Sequence, residues 1–140
     1  MNKIKAILLI ITVSLLMTAC KDKEKNKLDN RVIDYWNYKI NQDFKQAYEF
    51  LSPGWRKTES LQAYVARMRV VSIKWLGVKI KSKECTEKYL CTVLTDLQYE
   101  YQFRGAMSST VQVTTELKEK WLMKNNIWYK VPGSLNVLKK

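Results

Sequence analysis

Residues 90–103 have the sequence LCTVLTDLQYEYQF, in which one side of an extended chain collects mostly apolar and aromatic side chains. The members of that side are Cys91, Val93, Thr95, Leu97, Tyr99, Tyr101 and Phe103. Alternation with a period of two residues predicts a strand that buries one face. The stretch is longer than an ordinary strand, so we expect a sheet of long strands.

The neighbouring segments continue the same pattern. Residues 111–123 alternate again after a turn predicted at 105–109, and Asn125-Asn126 predicts a hairpin turn because Asn tolerates positive φ. Residues 127–131 close the sheet before Pro132-Gly133. Upstream, residues 70–75 and 78–81 alternate in different phases, which predicts a β-bulge at Leu76-Gly77.

The segment before the strands has helical periodicity. Apolar residues recur at threes and fours from Ile33 to Leu51, and Asp43 stands where it would cap a new turn. We therefore predict helices at about 30–40 and 43–51, the second ended by Ser52-Pro53-Gly54. A third helix is predicted from Thr58 or Ser60 to about Met68. Helices followed by antiparallel strands predict an α+β fold, with the N-terminal helices packed on one face of a curved sheet.

The N-terminal residues resemble the processing site of a bacterial lipoprotein. Lys3 and Lys5 precede a twelve-residue apolar run, and Leu16-Met17-Thr18-Ala19-Cys20 ends it. The run is too short for a bilayer-spanning helix and suits a signal peptide. The resemblance implies a signal peptide at 1–19 and lipidation of Cys20 with a palmitate-type chain.

The charged residues after Cys20 predict a flexible tether at 20–30, so the single α+β domain is expected at 31–140. The implied location is the cell envelope, extracytoplasmic and lipid-anchored, or the outer membrane if the host is Gram-negative, since Lys21 follows the anchor. Cys85 and Cys91 are then free to form a disulfide, which an exported compartment favours. Without any histidine in the chain, two thiols do not suggest a metal site.

The predicted domain resembles the nuclear transport factor 2-like superfamily, or cystatin-like α+β roll. The resemblance covers about residues 30–131 and depends on DFKQAYEFLSPGWR at 43–56 and on Trp121 with Trp128-Tyr129. It implies helices in the concavity of a bent sheet. It does not decide activity, because that fold carries enzymes and non-enzymatic adaptors alike.

Two functions remain open. One is a non-enzymatic binding or scaffold module for an envelope protein or a small apolar ligand, with Trp55, Arg56 and Tyr99 as candidate contacts. The other is a small pocket enzyme, isomerase- or dehydratase-like, with Asp34 or Asp96 as base and Tyr38 or Tyr99 as hydrogen-bond donor. The absence of histidine favours the binding module, and no catalytic residue, metal or cofactor is assigned.

The chain is basic, with 25 Lys and Arg against 13 Asp and Glu, a formal charge of +12. Such an excess suits anionic membrane surfaces as well as nucleic acid, but a nucleic-acid partner is not expected outside the cytoplasm. The candidate basic face consists of Lys74, Lys79, Lys81, Lys118 and Lys120. The alternative is that these lysines are solvated and have no partner.

Overall fold

Four antiparallel strands form one open sheet in the order β1-β2-β3-β4. The computed structural model describes residues 27–71, 73–102 and 109–133. The strands are β1 (Ile73–Glu87), β2 (Leu90–Gln102), β3 (Thr110–Lys124) and β4 (Ile127–Val131). The prediction of long antiparallel strands is confirmed, while the predicted turn at 105–109 lies almost wholly outside the described residues.

Irregularities in β1 bend the sheet edge. The register against β2 shifts between Trp75 and Gly77, as predicted, and also between Ile80 and Ser82 and between Cys85 and Glu87. A Cβ at Gly77 would lie 3.3 Å from the Gln98 side-chain oxygen, so this glycine allows close approach of the two strands. Each extra residue turns the strand and increases its twist.

The predicted hairpin turn between β3 and β4 and the predicted disulfide between β1 and β2 are both present. Asn125 and Asn126 have φ of 53° and 61°, the left-handed pair that a two-residue hairpin requires. Cys85 stands directly opposite Cys91 in the β1–β2 ladder, and the two form a disulfide. The disulfide prediction is therefore confirmed, and it fastens the edge strand next to the β1–β2 turn.

Within the described part of the chain, four helices precede the sheet: α1 (Leu28–Ile40), α2 (Phe44–Tyr48), α3 (Pro53–Arg56) and α4 (Leu61–Val70). The side chains of Asp43, Ser52 and Ser60 accept hydrogen bonds from the first-turn amides of α2, α3 and α4. The helix predicted at 43–51 ends at Tyr48, and the prediction that Ser52-Pro53-Gly54 ends it was wrong. Pro53 lacks an amide donor that a first turn would leave unpaired anyway, so it starts α3.

Helix α1 begins earlier than predicted. Leu28 is the first helical residue and is buried, so positions 28–30, predicted as the end of the tether, belong to the folded domain. The predicted signal peptide, Cys20 and the predicted tether positions up to 26 lie outside the described residues. The buried face of α1 consists of Leu28, Val32, Tyr35, Trp36 and Lys39.

The core lies between α1 and the inner face of the sheet. On β2 the predicted inward row is buried at Cys91, Val93, Thr95 and Leu97, and Trp121 of β3 is fully buried opposite Cys91. Edge-to-face contacts join the aromatic rings, with Tyr35 5.3 Å from Trp36 and 6.1 Å from Trp121. The predicted arrangement of helices on one sheet face is confirmed.

The segment after α2 is tied to the last strand. Lys130 donates its amide to the Phe50 carbonyl at 2.7 Å, and its own carbonyl accepts from the Ser52 amide at 2.8 Å. These bonds add Leu51 as a parallel bridge beside β4. They fix the backbone of Lys130, whose side chain enters the core.

Candidate functional site

A small pocket opens where the C-terminal ends of α1 and α4 meet the start of β1. Its volume is about 130 Å³, close to the roughly 150 Å³ of an engineered cavity that holds benzene. Its walls are formed by Lys39, Ile40, Gln42, Phe44, Met68, Arg69, Val71, Ile73, Lys74 and Trp75. The described wall thus combines six apolar side chains with four polar ones, three of them cationic, and includes no carboxylate.

Lys39 is the most unusual wall residue because it belongs to the buried face of α1. It follows Trp36 by three residues and Tyr35 by four, so the helix places all three side chains together. Only 6% of Lys39 is exposed, and its Nζ lies 4.3 Å from the Trp36 ring centroid and 4.4 Å from that of Trp75. Within residues 27–71, 73–102 and 109–133 this ammonium has no carboxylate partner.

Burial has an electrostatic consequence at Lys39. Loss of hydration disfavours the charged form, and the nearby positive charge of Arg67 adds to the effect, so the pKa of Lys39 falls from 10.5 to about 7. The aromatic faces compensate part of the lost hydration through cation–π attraction. Near neutral pH the amine can therefore gain or lose its proton in response to what enters the pocket.

A buried ion pair shares the same aromatic rings. Lys130 of β4 contacts the carboxylate of Glu119 on β3, and the Trp36 indole donates to the other Glu119 oxygen at 3.0 Å. The Lys130 ammonium also lies 4.8 Å from the Tyr35 ring. Burial, and secondly the charge of Lys39, lower the pKa of Lys130. Of the two lysines in this part of the core, Lys130 contacts the Glu119 carboxylate and Lys39 does not.

The other two wall cations lie at the mouth of the pocket. Lys74 is exposed and is 3.7 Å from a Glu100 carboxylate oxygen. Arg69 is exposed at the end of α4 and makes no ion pair with any residue that the structure describes. Gln42 completes the polar rim from a left-handed conformation, with φ of 59°, just beyond the end of α1.

The predicted contact residues do not form one site. Trp55 packs against the core and donates its indole N–H to Glu59 at 2.9 Å, so its ring is not the exposed anchor considered from the sequence. Arg56 donates to Glu49 at 2.5 Å. Tyr99 lies on the inner sheet face, where its ring is 5.8 Å from that of Trp75. Of the three, Tyr99 alone contacts a described wall residue of the pocket.

The predicted acids also lie away from the pocket wall. Asp96 occupies the outer face of the sheet, 3.8 Å from the Lys81 ammonium, because it is out of phase with the inward row of β2. Asp34 is half-buried on α1, where its charge acts on Arg31. Neither acid is paired with Tyr99 or Tyr38 as the isomerase-like hypothesis requires.

The predicted basic face is present but is interleaved with acids. Lys74, Lys79, Lys118 and Lys120 are exposed at outward positions of β1 and β3, and Lys81 occupies the second bulge of β1. Lys81 donates to Glu116 at 2.5 Å and is also near Asp96. Acidic neighbours therefore offset much of the positive charge on this face.

Comparisons with known proteins identify a shared fold and no family. No protein-family model and no curated protein matches the chain. Among solved structures, it is similar to the solution structure of a SEC-C motif containing protein from Rhodopseudomonas palustris, with a TM-score of 0.57, 13% identity and 78% of each chain covered. At this identity the likeness concerns the α+β fold alone.

The sequence prediction missed the buried charges at Lys39, Glu119 and Lys130. Two of them nevertheless had a signal: Lys39 falls on the face of α1 that carries Trp36, and Glu119 falls between Leu117 and Trp121 in the inward phase of β3. A charge placed in an apolar period is a candidate for a buried pair or a ligand contact. In the described chain no helix is long and apolar enough to cross a membrane, and no group of three or more potential metal ligands occurs.

Proposed function

We propose that this chain is an extracytoplasmic, lipid-anchored module that binds a small apolar ligand without transforming it. The observation that carries the ligand-binding part is the pocket between the ends of α1 and α4 and the start of β1. Phe44, Met68 and Trp75 give it apolar and aromatic wall residues, and polar and cationic side chains form the rest of the lining. Small-molecule sites likewise use apolar side chains for contact and polar groups to fix the orientation of the ligand.

Binding is favoured over catalysis by the groups that line the pocket. General acid–base chemistry needs a donor and an acceptor within hydrogen-bond reach of one reacting atom. No carboxylate occurs among the described wall residues, and the buried Glu119 is already engaged by Lys130 and Trp36. The isomerase-like alternative therefore has no described carboxylate base at this pocket.

The anchor is supported by the sequence around Cys20. A charged start, a short apolar run and small residues before a cysteine occur together, and an acyl chain would hold the module at a membrane surface. The disulfide between Cys85 and Cys91 is consistent with an oxidising compartment. An envelope location is thus supported by two separate features of the chain.

Lipidation is tested by expressing the full chain in a bacterial host supplied with labelled palmitate. Cys20→Ala should lose the label, whereas the control variant Cys85→Ser/Cys91→Ser should retain it. Normal labelling of Cys20→Ala would contradict the anchor, whatever the pocket binds.

Ligand binding is tested with neutral benzene-sized probes and tryptophan fluorescence, because Trp75 forms part of the wall. Met68→Trp should fill the pocket and abolish the response. Gln62→Trp adds the same ring at an exposed position of α4 and should leave the response intact. Equal responses from the two variants would show that the probes bind elsewhere.

A further inference from the structure

The pocket contains a positive charge that the described protein does not neutralise. Lys39 is more than nine-tenths buried, and its ammonium contacts aromatic rings instead of a carboxylate. The nearest buried acid, Glu119, already contacts Lys130. A buried ion is ordinarily paired or coordinated, so this ammonium lacks its usual partner.

Other cations near Lys39 add to this uncompensated positive charge. Arg67 of α4 and Lys130 of β4 are close enough to interact electrostatically with Lys39, and Trp75 of β1 contacts its ammonium. Arg69 and Lys74 line the same pocket. Lys74 is offset by Glu100, but Arg69 has no acidic partner among the described residues. An anion that enters the pocket would meet Lys39 at the wall and Arg69 at the mouth.

We propose that the ligand of this pocket is a small organic monoanion: a carboxylate carried on an apolar body the size of a benzene ring. This proposal rests on the proposed binding function and adds the chemical class of the ligand. The carboxylate receives a charge-assisted hydrogen bond from Lys39, with Arg69 as the second cation. The apolar body packs against Phe44, Met68 and Trp75.

The pocket's size and polarity support this class over other anions. A cavity of about 130 Å³ holds one ring-sized group and cannot enclose a nucleotide. A free inorganic anion would leave the apolar wall without contact. A neutral apolar molecule would contact the apolar wall residues but leave the Lys39 ammonium uncompensated. An organic monoanion satisfies both requirements, contact with the apolar residues and pairing with the ammonium.

Protonation of Lys39 gives the proposal a distinctive pH dependence. The bound carboxylate favours the ammonium form, so the fraction of free protein that carries this proton limits the apparent affinity. Because the pKa of Lys39 is about 7, affinity should be highest below pH 7 and fall about tenfold per pH unit above it. A binding site on surface lysines would show no such decline below about pH 9, because their ordinary pKa is roughly 10.4.

The experiment compares benzoate with benzamide and benzylamine, three probes of one shape and different charge. Calorimetric titrations use the full chain in a non-ionic detergent at pH 6 and pH 8.5. We expect benzoate to bind at pH 6 with a dissociation constant of about 1 mM or below, and benzamide and benzylamine to bind about ten- to hundredfold more weakly.

The variants Lys39→Gln and Lys39→Met should reduce benzoate affinity to that of benzamide and remove the pH dependence. Lys79→Gln makes the same charge change on the outer sheet face. It should leave the benzoate affinity and its pH dependence unchanged. Arg69→Gln should weaken benzoate binding about threefold or more while keeping the pH dependence, because Lys39 is still present.

Two results would overturn the proposal. The first would leave the proposed binding function intact, and the second would refute that function as well. Equal affinity for benzoate and benzamide would refute the anion preference and leave a pocket for neutral ligands. No binding of any probe to the folded wild type at 10 mM or roughly that level would refute the ligand class and the proposed use of the pocket together. Labelling of Cys20 is decided separately and is affected by neither result.

Discussion

Replacing Lys39 by methionine should stabilise the ligand-free protein. Methionine has nearly the length and shape of the lysine stem, so it can keep the packing between Trp36 and Trp75 while removing the charge. Replacing buried ions by apolar residues of similar volume is often stabilising. The variant therefore measures by how much the uncompensated ammonium lowers the free energy of unfolding.

The size of the effect follows from the pKa of Lys39. A fall from 10.5 to about 7 corresponds to about 5 kcal/mol of preference for the neutral form in the folded protein. Cation–π attraction from the surrounding rings offsets about 1–2 kcal/mol of the loss when the amine is charged. We expect Lys39→Met to raise the free energy of unfolding by about 1–4 kcal/mol at pH 6.

The stability difference between the wild type and Lys39→Met should depend on pH. Below about pH 7 the lysine is charged in both the folded and the unfolded chain, so the wild type carries the full penalty. Between about pH 7 and pH 10.5 the unfolded chain binds this proton and the folded protein does not, so wild-type stability rises with pH. The advantage of the methionine variant should therefore shrink steadily across this window.

The assay is urea unfolding of both proteins at pH 6, 7, 8, 9 and 10, without reductant so that the disulfide stays intact. Subtracting one curve from the other cancels the groups that titrate alike in both proteins. Lys79→Met, an exposed substitution on the outer face, should show a small difference that does not vary with pH. A destabilised Lys39→Met at pH 6, or a difference that stays constant to pH 10, would refute the reasoning.

Three further predictions concern the stability of the folded domain. Glu119→Leu should lower the free energy of unfolding by about 3–5 kcal/mol because it leaves the buried Lys130 amine and the Trp36 indole without their common partner, and adding Lys130→Met should recover most of the loss in urea unfolding. Cys85→Ser/Cys91→Ser should lower it by about 2 kcal/mol, since the bridge closes a short loop; an unchanged urea midpoint would contradict this role. Asn126→Gly should raise the midpoint by the equivalent of about 0.5 kcal/mol, because its φ of 61° suits glycine best; a decrease would show that the Asn side chain is needed.

The sheet could be predicted from the sequence because its signals are local. Alternation along 90–103 and 111–123, the Asn125-Asn126 turn and the phase shift at Gly77 each specify a short piece of backbone. The second and third bulges of β1 could not be predicted in the same way. They occur in the exposed, charged part of the strand, where no apolar period is interrupted.

The helices show where local signals mislead. Ser52-Pro53-Gly54 contains both a helix stop and a helix start, and the start prevails because the Ser52 hydroxyl accepts the Trp55 amide at 3.4 Å. The bridge between Leu51 and Lys130 also draws the preceding residues out of helical geometry. That contact spans the chain from the first helices to the last strand, so nothing near residue 52 reveals it.

The candidate site was the least predictable part because its residues meet only in the folded chain. Tyr99 was singled out and lies beside Trp75, but the central lysine comes from α1 and the cations at the mouth from α4 and β1. Searches for acid–base pairs favour Asp and Tyr, whereas the decisive feature here is a cation in an apolar position. A search for charges in the apolar phase would have selected Lys39 and Glu119.

The energetic burden at Lys39 is itself an argument for ligand binding. A carboxylate that pairs with the ammonium would relieve a penalty that the free protein carries, so part of the relieved free energy adds to the affinity. The same substitution should then stabilise the empty protein and weaken its complex, a combination that a purely structural lysine would not produce. If Lys39→Met were more stable and also bound benzoate as tightly as the wild type, the buried charge would be only a defect of packing.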